Sequence, residues 1–191
     1  MKWTKWMSAL LCLALLSGCA SKDPASDAEA TPSPGVEVAD PSGDDQSAGQ
    51  SVPDFTTVDL SGNTVTQEVF GQADVTVVNI WGTFCPPCIG EMPELGDWAR
   101  EMEDNVQLLG IVCDYYAGDD ATLDQAKTIL QDSGADFVNL AADPSMEEFL
   151  SQFQFVPTTL LVDSQGAVIG EPIVGADVAL YQQAVADYLG Q

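Results

Sequence analysis

Two cysteines stand two residues apart in the stretch WGTFCPPCIGEMP, Trp81 to Pro93. A thiol pair at that spacing can cycle between dithiol and disulfide, supply half of a metal site, or cross-link the chain. The rest of the composition narrows the choice. The chain has five cysteines and no histidine. Cys12 and Cys19 belong to an N-terminal segment with a separate fate, which leaves Cys85, Cys88 and Cys113. Three thiols without histidine fall short of the four ligands that a structural zinc requires, and no metal or cofactor is expected. Ser-His-Asp and Cys-His machinery is excluded for the same reason. A disulfide between Cys85 and Cys88 remains, either redox-active or structural.

The flanking residues favour redox work. VTVVNIW, from about Val75 to Trp81, is an unbroken apolar and β-branched run that reads as a buried strand. After Cys88, residues Ile89, Met92, Leu95, Trp98, Ala99 and Met102 recur at three- and four-residue steps, the pattern of an amphipathic helix. Pro86 and Pro87 suit its first turn, and Pro93 predicts a kink. Cys85 then lies where a strand hands over to a helix N-terminus, whose free N–H groups and dipole favour a thiolate. Cys85 is the expected nucleophile, and Cys88, one turn on, the resolving thiol. So short a loop gives little entropic stabilisation as a mere cross-link.

The first eighteen residues read as an export signal, with Lys2 and Lys5 ahead of the apolar core ALLCLALL. That core is too short to span a bilayer as a helix. It ends in LSGC, Leu16 to Cys19, which resembles a bacterial lipobox and implies cleavage before Cys19 and a lipid on its thiol. Residues 19–51 follow as an acidic linker rich in Ser, Ala, Pro, Gly and Asp, without an aromatic residue. Such a composition buries too little apolar surface to fold, so the linker is expected to be disordered. As a coil of roughly 30 residues it spans about 30 Å, enough to hold a domain off a membrane. Residues 52–191 make one domain of ordinary size. Against 5 basic residues stand 30 acidic ones, a net charge of −25 that excludes nucleic acid as a partner of the folded part.

Beyond the cysteine pair, the pattern predicts a strand over Val106 to Cys113 and a helix in DDATLDQAKTILQDSG closed by Gly134. A short strand in ADFVNLAAD and a helix in PSMEEFLSQF come next. FVPTTLLVDSQGAVIGEPIVG predicts two antiparallel strands about a turn at Ser164 to Gly166, and DVALYQQAVADYLG an amphipathic final helix. Alternating strands and helices ending in a hairpin indicate an α/β domain with a mixed sheet.

VVNIWGTFCPPCIGEMPEL resembles the active-site segment of the thioredoxin superfamily, in particular the TlpA/ResA-type membrane-tethered thiol-disulfide oxidoreductases. The similarity runs from VPDFTTVDLSGNTVT to the last helix and so covers residues 52–191. It implies a thioredoxin fold with an N-terminal β-hairpin and a helix–strand insertion near Asp119 to Leu140. Pro157 in FVPTT matches the cis-proline of the family, whose loop faces the disulfide, with the Val156 peptide groups available to a substrate strand. The resemblance places Trp81, Phe84, Pro86 and Pro87 in the substrate-binding surface as well. Glu91, three after Cys88, matches a glutamate implied to tune the thiols. On a helix it shares a face with Cys88 and can take and return the proton of the resolving thiol, although an acid there also simply complements the helix dipole. Asn79, six before Cys85, is expected to be a satisfied polar residue of the core. Cys113 reads as a buried small hydrophobe or as a third redox thiol.

The implied activity is reduction of disulfides in exported proteins at the extracytoplasmic face of the cell membrane. A membrane thiol-electron donor of the CcdA/DsbD kind would supply the electrons, and the lipid on Cys19 the tether. Three rivals stand beside it: a disulfide donor, a peroxiredoxin-like enzyme, and a tethered binding module whose disulfide is structural. The peroxiredoxin pattern Pro-x-x-x-Thr-x-x-Cys is not met, since Thr83 stands only two before Cys85.

Overall fold

The computed structural model describes residues 49–190. The signal, Cys19 and most of the linker lie outside the described residues. Five strands form one mixed sheet in the order β5-β4-β3-β6-β7, with β3 (Val75–Trp81) at its centre. β4 (Val106–Tyr116) runs parallel to β3, and β5 (Val138–Ala142) parallel to β4. β6 (Thr158–Asp163) and β7 (Val168–Val174) add antiparallel on the other side. β1 (Thr56–Val58) and β2 (Thr64–Thr66) pair as the expected N-terminal hairpin, tied to the sheet by the Thr57 hydroxyl donating to Ala141 O at 2.9 Å. The helices are α1 (Pro86–Glu101), α2 (Asp120–Ser133), the single turn α3 (Glu147–Leu150) and α4 (Val178–Leu189). This is the thioredoxin fold that the resemblance implied, and α2 with β5 is its insertion.

Strand alternation divides the core into two layers. On one face Val77 and Trp81 of β3 join Met92 and Leu95 of α1, Leu130 of α2, and Val178, Tyr181 and Val185 of α4. On the other face Val78 and Ile80 pack with Phe55, Phe70, Met146 and Phe149. Period two therefore places Asn79 on the α1/α4 side, beside Thr159 of β6 and Gly110 of β4 in the register. Cys113 packs against the opposite layer, away from Cys85 and Cys88, which fits the small-hydrophobe reading. Burial and the nearby Asp114 charge push its thiol up to about 11, so it stays protonated.

Several boundaries differ from expectation. β4 continues through Tyr116 because its pairing with β5 resumes, after a register shift, at Tyr116 and Ala142. The helix expected over ten residues in PSMEEFLSQF is a short 3-10 turn followed by α3. α1 carries Pro93 inside its span of Pro86–Glu101. It approaches the end of α2 so closely that a Cβ at Gly96 would stand 2.8 Å from Ala135 Cα and 2.9 Å from Gly134 O. Backbone cannot yield as a side chain can, so Gly96→Ala is expected to destabilise the domain by about 1–2 kcal/mol in urea unfolding. An unchanged midpoint would show that α1 and α2 can separate freely.

Candidate active site

β3 ends at Trp81 and α1 begins at Pro86, so the intervening turn delivers Cys85 as the N-cap of the helix. Pro86 and Pro87 fill the first helical positions, where a missing N–H costs nothing. The Cys88 N–H donates to Cys85 Sγ at 3.2 Å. The two sulfurs are bonded at 2.03 Å. Their environments differ: Cys85 is 4% exposed and Cys88 wholly buried. An incoming sulfur can therefore meet Cys85 alone. The Val156–Pro157 bond is cis, as the resemblance implied, and Val156 O lies 3.4 Å from Cys85 Sγ.

The turn is fastened from the side. Thr83 donates to the Asp114 carboxylate through its N–H (3.0 Å) and its hydroxyl (2.6 Å), while Gln125 Nε2 donates to Thr83 O at 3.3 Å. Phe84 is 65% exposed beside the disulfide, and Phe155, next to Val156, 67%. A Cβ at Gly82 would stand 2.6 Å from the Phe84 ring, so the glycine lets that ring fold back over the backbone. Phe84, Pro86 and Pro87 are at the surface and Val156 half-buried, as a substrate contact requires, whereas Pro157 is buried and shapes the loop from within. Sequence reasoning missed Asp114, Gln125 and Phe155, which reach the site from distant elements. An aromatic immediately before Val-Pro was the available signal for Phe155.

Trp81 is a correction. It was expected to touch substrate, but it is fully buried. Its indole N–H donates to Asn139 Oδ1 at 2.8 Å, and a Cβ at Gly110 would fall 1.8 Å from that oxygen. Odd-numbered β3 residues face the inner layer, so Trp81 supports the disulfide from beneath.

Three residues after Cys88, α1 carries a second polar group. Glu91 is only 5% exposed. Its Oε1 accepts from Asn79 Nδ2 at 2.9 Å, and Tyr181 Oη lies 3.0 Å from its Oε2. Asn79 Nδ2 also donates to Thr159 Oγ1 at 3.0 Å. Burial pushes the Glu91 carboxyl above the ordinary carboxylate range, the nearby Glu94 charge adds to the rise, and the bonds from Asn79 and Tyr181 oppose it. Asn79 is satisfied only in part, because its Oδ1 is the one buried side-chain N or O among the described residues without a hydrogen-bond partner. A cleft of about 500 Å³ between Pro87, Gly90 and Glu94 on α1 and Asp177 and Val178 at α4 reaches Glu91, a path for a proton. Tyr181 was missed too. A tyrosine in the apolar stripe of the last helix needs a partner for its hydroxyl, and that need was the available signal.

A dithiol–disulfide couple with one approachable sulfur, at a strand-to-helix junction of a thioredoxin fold, defines the thiol-disulfide oxidoreductase class. Comparison with known proteins places the chain in that company. It belongs to the AhpC/TSA family, whose model matches residues 48–171. It is 29% identical over 96 residues to the thiol:disulfide interchange protein HelX of Rhodobacter capsulatus, a match covering 50% of this chain and 49% of HelX. With the thiol-disulfide oxidoreductase ResA of Bacillus thuringiensis it shares 27% identity over 131 residues, 66% of this chain and 69% of ResA. The match therefore spans about half of HelX and a little over two thirds of ResA. The crystal structure of a DsbF homologue from Corynebacterium diphtheriae superposes with a TM-score of 0.60 at 20% identity, over 78% of this chain and 96% of that one. The resemblance to the TlpA/ResA type is thereby upheld.

Proposed function

We propose that the protein is a thiol-disulfide oxidoreductase, tethered by a lipid on Cys19 at the extracytoplasmic face of the cell membrane, that reduces disulfides in exported proteins. The observation that carries this is the asymmetry of the pair. Cys85 keeps some exposure beside the Val156 carbonyl, and Cys88 is sealed in the core, with the buried Glu91 three residues on along the same helix. The lipobox-like LSGC and the linker over residues 19–51 support the tether.

In the reducing direction the Cys85 thiolate attacks one sulfur of a substrate disulfide. A Cys85–substrate bond forms, the substrate bond breaks, and the departing sulfur takes a proton from solvent. Val156 holds the substrate strand by its peptide groups, with Phe84, Pro86 and Pro87 beside it. Cys88 then gives its proton to the Glu91 carboxylate and attacks Cys85 Sγ, releasing the second substrate thiolate. The products are a reduced substrate and the Cys85–Cys88 disulfide, with Glu91 carrying the proton that its burial favours. Two electrons from a membrane thiol donor of the CcdA/DsbD kind restore the dithiol, because the exterior is oxidising.

The reduction potential of the pair, followed by thiol alkylation against glutathione and dithiothreitol buffers, tests this. A value near or below about −250 mV is expected. A value near about −120 mV would reverse the direction and make the protein a disulfide donor. A pair that resists mild reductant altogether would be a structural cross-link, and the protein a binding module.

A further inference from the structure

Tyr181 is wholly buried, and its hydroxyl meets more acceptors than it has protons. Gly175 O lies 2.5 Å from the phenol oxygen and Glu91 Oε2 3.0 Å from it. Neither a carbonyl nor a carboxylate brings a proton of its own. The phenol oxygen already accepts from the Asp177 N–H at 3.3 Å. One phenolic proton must therefore serve two oxygens. The conflict disappears when Glu91 is protonated: Tyr181 gives its proton to Gly175, and the proton on Glu91 fills the 3.0 Å contact. It returns when Glu91 ionises, since a buried carboxylate is the stronger acceptor.

Gly175 also links this cluster to the substrate loop. Its N–H donates to Pro157 O at 2.9 Å, and the adjacent Val156 O lies 3.4 Å from Cys85 Sγ. Its φ of +96° belongs to the region that only glycine enters readily. A continuous set of contacts thus runs from Glu91 through Tyr181 and Gly175 to the loop over Cys85.

We infer that Tyr181 is a positioning residue whose hydroxyl turns from Gly175 to Glu91 when Glu91 loses its proton, so that the protonation of the buried carboxylate is reported to the Val156–Pro157 loop. The inference rests on the reading of Glu91 as the acid–base group of the site. The ionisable groups facing Glu91 are Glu94 on the same helix and Asp177 and Tyr181 of the α4 end; β3 and β6 face it with the uncharged Asn79 and Thr159, and the bonded cysteine pair does not titrate. Proton release from Glu91 proceeds to water through the cleft beside Pro87 and Asp177. A phenol that turns loosens Gly175 when the carboxylate forms, which is the state that precedes proton transfer from Cys88.

Carbon-13 chemical shifts of the oxidised full chain, followed against pH, test the assignment. The Glu91 carboxyl, the Tyr181 Cζ and the Gly175 carbonyl are expected to inflect at one midpoint. In Tyr181→Phe the Gly175 response is expected to vanish. Glu91 in that variant titrates about one pH unit higher, having lost a donor to its charged form. A Gly175 carbonyl that stays flat in the unaltered protein, or one that still inflects in Tyr181→Phe, overturns the switch. So does a Glu91 that keeps its proton wherever the fold persists. Should Tyr181→Phe fail to fold, the coincidence or separation of the three midpoints in the unaltered protein decides. The parent reading is tested apart: if Glu91→Gln leaves the pH profile of disulfide exchange unaltered, Glu91 is not the acid–base group, whatever the shifts show.

Discussion

Cys88→Ser is expected to stall the protein on its substrate, while Cys85→Ser is expected never to engage one. The argument is geometric. Cys85 keeps a narrow exposure of 4% and Cys88 has none, so the first bond to substrate forms at Cys85. Without the Cys88 thiol, the intermediate has no internal nucleophile to release it. Mass spectrometry after incubation with an oxidised peptide should show a covalent adduct on Cys88→Ser and none on Cys85→Ser. Steady-state turnover should fall by about a thousandfold or more in both, since each variant removes one member of a pair that works as a unit. Serine is close to cysteine in size, so the variant opens little cavity in the core. An adduct on Cys85→Ser would invert the roles assigned to the two sulfurs.

The second large effect is expected at Glu91, and it divides stability from rate. Burial raises the folded-state pKa of this carboxyl above its unfolded value. The folded state therefore binds the proton more tightly, and the associated stability is fully present below the ordinary glutamate range. It is lost as the pH rises from there through the raised value. Glu91→Gln reproduces the protonated shape: an oxygen to accept from Asn79 and an N–H to donate to Tyr181. The variant should be more stable than the parent near neutral pH, by about 1 kcal/mol, and the difference should shrink toward pH 4. Its exchange rate should drop about a hundredfold, because glutamine cannot receive the Cys88 proton. Paired urea titrations and exchange assays across pH would decide. Equal stability at every pH would mean that Glu91 is solvated or paired well enough to remain an ordinary carboxylate.

The elements that sequence reasoning placed well are those whose evidence is local. VTVVNIW is a strand because β-branched residues crowd a helix and sit easily on a pleat, and β3 begins and ends where the run does. Asp119 and Gly134 bracket α2 as cap and left-handed stop. Cys85, Cys88 and Glu91 were nameable because they lie within seven residues of one another, at the cap and first turns of α1. The omissions are non-local. Asp114 and Gln125 lie about thirty and forty residues beyond Thr83, and no period in either segment announces that they converge on its turn. Trp81 was placed on the surface because a motif gives order along the chain but not which face of the strand turns inward. α3 fell short of the ten residues predicted because that stretch is little more than one turn bounded by a 3-10 segment, too short for amphipathic periodicity to be diagnostic.

Cys85 and Cys88 belong to the same core layer as Trp81, Leu95 and Tyr181. Folding and oxidation are consequently two edges of one thermodynamic square. Whatever the closed pair adds to the unfolding free energy must reappear as a displacement of its potential from that of the same two thiols in the unfolded chain. Each 1.4 kcal/mol by which the disulfide form outlasts the dithiol form in denaturant corresponds to about 30 mV of lowering. Two melting curves, one in each redox state, therefore weigh the electrons as surely as an electrode would.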